Sequence, residues 1–393
     1  MLVPKLRFKE FKNEWNEINL KKLLSFKNGI NSDKDSYGHG IKYISVGDIL
    51  NNTYITYDKI KGLVDINNKV LKENSVEYGD IVFQRSSETF NDIGQANVYL
   101  DKEKIATFGG FVIRGKKIGN YNPLFFNYLL KSPCNRKKVI VKGAGAQHYN
   151  ISQEELEKIN VNFTDMNEQE KIANFLMLLD KKIELQKQKI EALKIYKKGL
   201  MQKLINSNNC EEKSISEFGT IITGTTPSRL IQSYWHNGTI IWVTPSDITE
   251  SKDIYNSHDM LTPDGLKAGR FVPAGSILIT CIASIGKNAI LKVDGSCNQQ
   301  INAIIPNKNF NADYLYYLFE LKKDYLQSTA GTSATSIINK TSFEKLVFKI
   351  HNIEQQNEYS KILNCLESKI ETEKHKFKKL TLLKKSLLQQ MFI

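Results

Sequence analysis

Lys182-Ile-Glu184 recurs as Lys369-Ile-Glu371 almost half a chain length further on, and the recurrence extends well beyond these three positions. At the same offset Leu176 matches Leu363, Leu179 matches Leu366, Leu193 matches Leu380, Lys197-Lys198 matches Lys384-Lys385, Leu200 matches Leu387 and Gln202 matches Gln389. A period this long exceeds the unit of a solenoid, so it marks a duplicated domain with its own trailing segment. The 393 residues therefore divide into two units plus a short N-terminal excess, within the two or three domains that the length allows.

Each trailing segment reads as a long helix. Leu176, Leu179, Ile183, Gln186, Ile190, Leu193, Lys197, Leu200 and Leu204 alternate spacings of three and four, and Leu363, Leu366, Ile370, Glu373, Phe377, Leu380, Lys384, Leu387 and Met391 repeat the series. No Pro interrupts either run, and four sustained heptads with charged flanks predict a coiled coil. Polar residues break the apolar seam at the same two places, Gln186/Glu373 and Lys197/Lys384, where buried polar side chains fix register and partner. The two helices are expected to pair with each other.

The globular parts correspond less closely. Tyr43-Ile-Ser-Val-Gly-Asp48 aligns with Trp242-Val-Thr-Pro-Ser-Asp247, Tyr78-Gly-Asp80 with Pro273-Ala-Gly275-Ser276, and Lys142-Gly-Ala-Gly145 with Thr329-Ala-Gly331. Short β-branched and aromatic runs such as Phe111–Ile113 and Ile277–Ile282, bounded by Gly, Asn and Asp, predict strands. Tyr121–Leu130 and Asp313–Lys322 predict short helices. The expected fold class is α+β, with two mixed α/β domains at 1–166 and 207–351, each followed by a long helix at 167–206 and 352–393, in an internal pseudo-twofold repeat.

Composition limits the function classes. Lys and Arg number 55 against 42 Asp and Glu, a formal net charge of +13, which suits a polyanionic partner. The excess is uneven, since residues 1–166 carry 25 basic and 19 acidic residues whereas 207–351 carry 13 of each. No stretch approaches 18 consecutive apolar residues, so no transmembrane helix is expected. Charges at Lys5 and Arg7 sit where a signal peptide needs an apolar run. Five Cys without C-x-x-C spacing suggest neither a disulfide framework nor a zinc site. A cytoplasmic setting follows as the expectation.

Enzymatic motifs fail one by one. Gly286-Lys287 ends like a P-loop, but the Gly required at position 281 is Cys. Gly143-Ala-Gly145 opens like a dinucleotide fingerprint, yet the final position is His148. Neither an H-E-x-x-H motif nor a G-x-S-x-G elbow occurs, and neither the Gly-rich turn nor the Asn/Asp-Pro-Pro-aromatic loop of an adenine methyltransferase is present. What remains is a set of loops rich in small polar residues. The first domain offers Gln84, Arg85 and Ser86, the Arg136-Lys-Lys138 run, then Lys142, Gln147 and His148. The second offers Thr226, Arg229, Thr244, Ser246, Ser284, Lys287, Gln299, Thr332 and Ser333. Hydroxyls and backbone N–H groups suit phosphate oxygens, and Arg, Gln and Asn can bond base edges bidentately. These residues are the candidate DNA contacts; taken singly, any such loop can also be an ordinary turn.

The order Trp242-Val-Thr-Pro-Ser-Asp247, Gly275-Ser-Ile-Leu278, Ser284-Ile-Gly286, Asn298-Gln-Gln300, then Glu354-Gln-Gln356 entering a heptad helix resembles the specificity subunit of a type I restriction–modification system. The resemblance spans the whole chain, and Glu168-Gln169 leads into the first helix likewise. The first copy departs from it with Val46-Gly47 in place of Pro245-Ser246, and with no Thr-Pro-Ser loop after Gly29. The resemblance implies two target-recognition domains, each reading half of a split target in double-stranded DNA, and two helices packed as an antiparallel coiled coil that holds the halves at fixed separation. It implies two modification subunits as partners, bringing S-adenosylmethionine to methylate adenines, and restriction subunits whose motor uses ATP and Mg. This chain would then hold no cofactor and make no bonds. Two other readings stay open: a coiled-coil adaptor with two protein-binding domains, and the recognition module of a stand-alone restriction–methylation enzyme.

Overall fold

A computed structural model describes residues 3–145, 147–330 and 337–393. The contacts divide it into two compact units, one of residues 1–187 with 375–393 and the other of 188–374. Both predicted long helices are present, Met166–Ile205 and Ile353–Gln390, and each crosses from one unit into the other.

In the first unit a four-stranded antiparallel sheet runs Leu24–Asn28, Val112–Lys117, Ile81–Gln84, Ala96–Val98. A second sheet orders Gly62–Val64, Tyr37–Ile44 and Thr107–Phe108, the last two parallel. In the second unit a five-stranded sheet runs Gly219–Thr223, Ile301–Pro306, Ile277–Thr280, Asn288–Leu291, Asp253–Ile254. Beside it lie Asp259–Leu261, Ile240–Val243 and Gly295–Cys297, again with the last two parallel. Each unit is thus a mixed α and β domain built to one plan. Phe111, expected within a strand, instead stands in the turn before Val112–Lys117 and is 68% exposed.

The predicted short helices are Pro123–Lys131 and Ala312–Leu321, capped by the side chains of Asn122 and Asn311. The asparagines satisfy N–H groups that lack helical partners. Both helices are mostly buried, and each is clamped to a long helix by a glutamine from the motifs that open it. Gln169 Oε1 accepts from the Asn122 N–H at 2.9 Å while its Nε2 donates to the Thr164 carbonyl at 2.7 Å. Gln356 does the same with Asn311 at 2.9 Å and the His351 carbonyl at 2.8 Å.

The heptad seam is buried or half-buried within each unit. Leu176, Leu179, Leu387 and Met391 join the first core, and Met201 and Leu363 the second, while Ile190, Leu366 and Ile370 are also buried. In the second unit Lys189 pairs with Glu373 at 3.0 Å and Lys197 with Glu367. One number rises as the other falls, so the helices are antiparallel there. In the first unit Lys384 pairs with Asp180.

Candidate nucleic-acid interface

Adjacent parallel strands release their following loops on one edge of a sheet. In the second unit Ile240–Val243 and Gly295–Cys297 do so, delivering Thr244-Pro-Ser-Asp247 beside Asn298-Gln-Gln300, with the Asn298 N–H donating to the Val243 carbonyl at 3.0 Å. Thr223–Arg229 lies against the same turn: the Gly224 and Thr225 N–H groups donate to the Ile301 and Cys297 carbonyls, each at 2.9 Å. Only glycine fits at 224, since a Cβ would stand 2.2 Å from the Asn298 carbonyl oxygen. The first unit uses Gly29 in the same way. Its N–H donates to Val112 at 3.0 Å, and a Cβ there would stand 2.0 Å from the Gly109 carbonyl oxygen.

Thr226, Arg229, Thr244, Ser246 and Gln299 therefore gather on one surface. The Thr226 hydroxyl donates to Gln299 Oε1. Thr244 Oγ1 lies 2.7 Å from both Asp247 Oδ2 and Ser246 Oγ. The same carboxylate accepts from the His258 N–H at 3.0 Å, and His258 Nδ1 meets Asp259 Oδ1 at 3.0 Å. Asp259 in turn accepts from Arg229, and that bond holds the Asp259 carboxyl below its usual range. The Arg229 guanidinium lies over the Trp235 ring at 3.6 Å from its centroid, and Trp242 at 5.0 Å is a second face. Two indole N–H groups pin the loop: Trp242 Nε1 donates to the Thr225 carbonyl at 2.9 Å and Trp235 Nε1 to Ser228 at 3.1 Å.

Ser284 and Lys287 stand on the hairpin tip between Ile277–Thr280 and Asn288–Leu291, which starts beside the same turn, since the Cys281 N–H donates to the Gln300 carbonyl at 2.8 Å. Ile338 closes its other side by donating to the Cys281 carbonyl at 2.9 Å. Thr332 and Ser333 lie outside the described residues.

In the first unit the loops at 84–88 and 142–148 meet. Ser86–Ser87 pairs with Tyr149–Asn150, Ser86 Oγ donates to Asn150, and the Ile151 N–H donates to the Arg85 carbonyl at 3.0 Å. Ser86, Ser87, Glu88 and His148 line a shallow hollow with Leu50 and Phe111. Arg85 Nη1 reaches the Gly110 carbonyl at 3.3 Å. Gln147 and His148 are exposed, and Lys142 lies 3.4 Å from Glu155. Gln84 is turned inward: it is 5% exposed and its Nε2 donates to the Ser86 carbonyl at 2.9 Å, which shapes the turn. Arg136 is not on a loop. It sits on the helix Pro133–Ile140, where its guanidinium donates to the Asn91, Ile93 and Gly94 carbonyls at 3.1, 2.7 and 2.8 Å. Burial draws its pKa down to about 10. It braces a turn rather than facing a polyanion.

The sequence reading missed Trp235 and Asp259 as supports of Arg229, and Phe111 as an exposed aromatic. Strand register carries Asp259: it is directly paired with Trp242 across Ile240–Val243 and Asp259–Leu261, so both side chains share a face. No spacing in the sequence reports that register. Among the described residues no helix is long and apolar enough to cross a membrane, and no cluster of His, Cys, Asp or Glu is placed to hold a metal.

Comparison with known proteins accounts for the duplicated plan. Residues 12–194 and 207–382 each match the model of the type I restriction modification DNA specificity domain. The MjaIX specificity subunit of Methanocaldococcus jannaschii is 33% identical over 168 residues, 41% of this chain and 39% of that relative. The EcoR124I/EcoR124II specificity subunit of Escherichia coli is 29% identical over 162 residues, 39% of this chain and 40% of the relative. These alignments span about two fifths of the curated relatives' length. The fold is shared with the S subunit of a type I restriction–modification system from M. genitalium, at TM-score 0.60 and 16% identity, covering 100% of this chain and 99% of that one. It is shared also with a chain from a structure of the type I system's complex assembly and conformational transition, at TM-score 0.63 and 11% identity, covering 95% and 96%. Two matched domains that together take in most of the sequence place this chain in the type I restriction modification DNA specificity family.

Proposed function

We propose that this chain is the sequence-specificity subunit of a type I restriction–modification complex, reading a two-part DNA target with one domain per half. The observation that carries the reading is the repetition of one loop-bearing edge in both units with different side chains on it. Gly29 and Gly224 make the same close approach, and Ser45/Asp48 and Thr244/Asp247 the same hydroxyl–carboxylate turn at 2.7 Å. The displayed groups differ, with Arg85, His148 and Phe111 in one and Arg229, Thr226 and Gln299 in the other. A common scaffold with unlike contacts suits two unlike half-sites.

The helices support the partner half of the reading. Leu178, Ile195 and Tyr196 are exposed on the first helix, and their counterparts in the repeat, Cys365, Leu382 and Leu383, are exposed on the second. Exposed apolar side chains at matching positions offer the same surface twice, which suits two copies of one modification subunit. Catalysis of methyl transfer and cleavage belongs to the partner subunits, and this chain supplies the choice of sequence.

The test is methylation-sensitive sequencing of DNA from cells expressing the chain with its modification subunit. Replacing residues 207–351 with the corresponding domain of another family member should change one half of the methylated motif and leave the other intact. A change in both halves, or no defined motif, would contradict the reading.

A further inference from the structure

Arg229 is held as a rigid, planar donor. Its loop is fixed by the indole N–H bonds to Thr225 and Ser228, its guanidinium lies on the Trp235 face at 3.6 Å, and Asp259 accepts a hydrogen bond from Nη2. The side chain is nevertheless half exposed, at 50%. That one bond is its only hydrogen bond among the described residues. Whichever of the two Nη2 protons points at Asp259, one edge of the guanidinium keeps two parallel donors that have no partner among the described residues.

We infer that Arg229 reads guanine in the half-site bound by the second domain, with that free edge donating to O6 and N7. The inference rests on the specificity-subunit reading above and names the base that one residue of it selects. Guanine presents two acceptors side by side in the major groove, matched by the arginine fork. The surroundings separate this role from a phosphate contact. A phosphate anchor works through net charge and tolerates a flexible stem, whereas Asp259 already offsets the Arg229 charge and the Trp235 stack fixes its plane. Such an arrangement sacrifices attraction to the backbone and gains orientation. Asp259 acts here as a positioning residue.

The test uses the assembled methyltransferase, this chain with its modification subunit, and measures methylation rates on duplexes varied at each position of the target. The wild-type complex should require at least one G·C pair in the half-site that follows residues 207–351 in the domain exchange. Arg229→Lys keeps the charge and loses the fork. It should cut the preference for that G·C pair by about 5- to 150-fold and leave every other position, including the whole first half-site, unchanged. Asp259→Asn should weaken the preference at the same pair alone, a pattern that general loss of structure does not produce. Arg229→Gln serves if the Lys variant does not assemble, and intact first half-site selectivity reports assembly in each case. A uniform loss over all sequences, or a second half-site without a fixed G·C pair, overturns the inference. So does an unchanged preference in a wild-type-like complex, although the specificity-subunit reading then survives. Sequence-independent methylation by the wild-type complex overturns that reading, and the inference with it.

Discussion

Lys384 donates to Asp180 at 2.5 Å, and the equivalent positions of the repeat, Lys197 and Glu367, make the corresponding contact with the two helices exchanged. Each lysine also faces a tyrosine of its own unit's buried helix, Lys384 at 5.7 Å from the Tyr128 ring centroid and Lys197 at 5.3 Å from that of Tyr317. The sequence marks Lys197 and Lys384 as breaks in an apolar seam, and the structure shows what each break is for. The cation lies between a carboxylate on the other helix and an aromatic face.

These pairs are largely shielded, with Lys197 and Glu367 side chains at 16% and 15% exposure. Removing the cation leaves a poorly hydrated carboxylate. Lys197→Met and Lys384→Met should each cost about 1–3 kcal/mol, between the values for exposed and buried pairs. Urea denaturation of the two variants checks this, and a loss below a few tenths of a kcal/mol in both would show the pairs to be incidental.

The glutamine clamps yield a second expectation. Truncating Gln169 strands a part-buried N–H and one carbonyl in the first unit, and truncating Gln356 strands a part-buried N–H and the His351 and Asn309 carbonyls in the second. Gln169→Ala and Gln356→Ala should therefore destabilise similarly, by about 1–3 kcal/mol per unsatisfied group. Thermal melting with both variants side by side measures it, and a large effect in one unit only would contradict the equivalence of the clamps.

The clamps also show what the sequence could and could not convey. Glu168-Gln169 and Glu354-Gln-Gln356 are visible at the starts of heptad runs, with Gln169 and Gln356 matching at the repeat offset, and the run itself announces helix, length and seam because its period is local. The glutamines' partners, Asn122 and Asn311, cap helices several elements earlier in the chain, and no local period encodes them. The interface divides similarly. Thr226 and Gln299 were legible as polar loop residues, but their hydrogen bond depends on Gly219–Thr223 pairing antiparallel with Ile301–Pro306, which lays one loop against the other. Gln84 and Arg136 carried the right side chains for DNA and were drawn inward by unmet backbone carbonyls, of Ser86 in one case and of Asn91, Ile93 and Gly94 in the other.

His351 gives the second unit a dependence on pH. It is buried, with Nε2 2.9 Å from the Ser207 hydroxyl and Nδ1 2.7 Å from the Tyr314 hydroxyl, and burial lowers its pKa from 6.5. The unfolded chain then binds a proton more readily than the folded one, so stability falls as pH drops through the region just below 6.5. The slope is confined to that window and vanishes above it. His351→Asn should be less stable than the parent at neutral pH and should lose this part of the acid sensitivity. Parallel slopes for parent and variant between about pH 7 and 5 would assign the acid response to other groups.

The paired apolar positions on the helices lead to a prediction about stoichiometry. Ile195 and Tyr196 belong to the second unit and Leu382 and Leu383 to the first, and all four side chains are exposed. Because none is buried, replacing one with Asp removes little from the folded chain, within about 0.5 kcal/mol. At a desolvated contact the same change places an unpaired charge against apolar surface, which costs far more. Ile195→Asp with Tyr196→Asp should therefore weaken one of two modification subunits, and Leu382→Asp with Leu383→Asp the other, each leaving a complex with a single partner. All four changes together should leave none. Sedimentation velocity or native mass measurement on the mixed subunits counts the partners directly. Two bound subunits retained by the quadruple variant would move the docking surface off these helix positions, even if the chain still directs methylation to its motif.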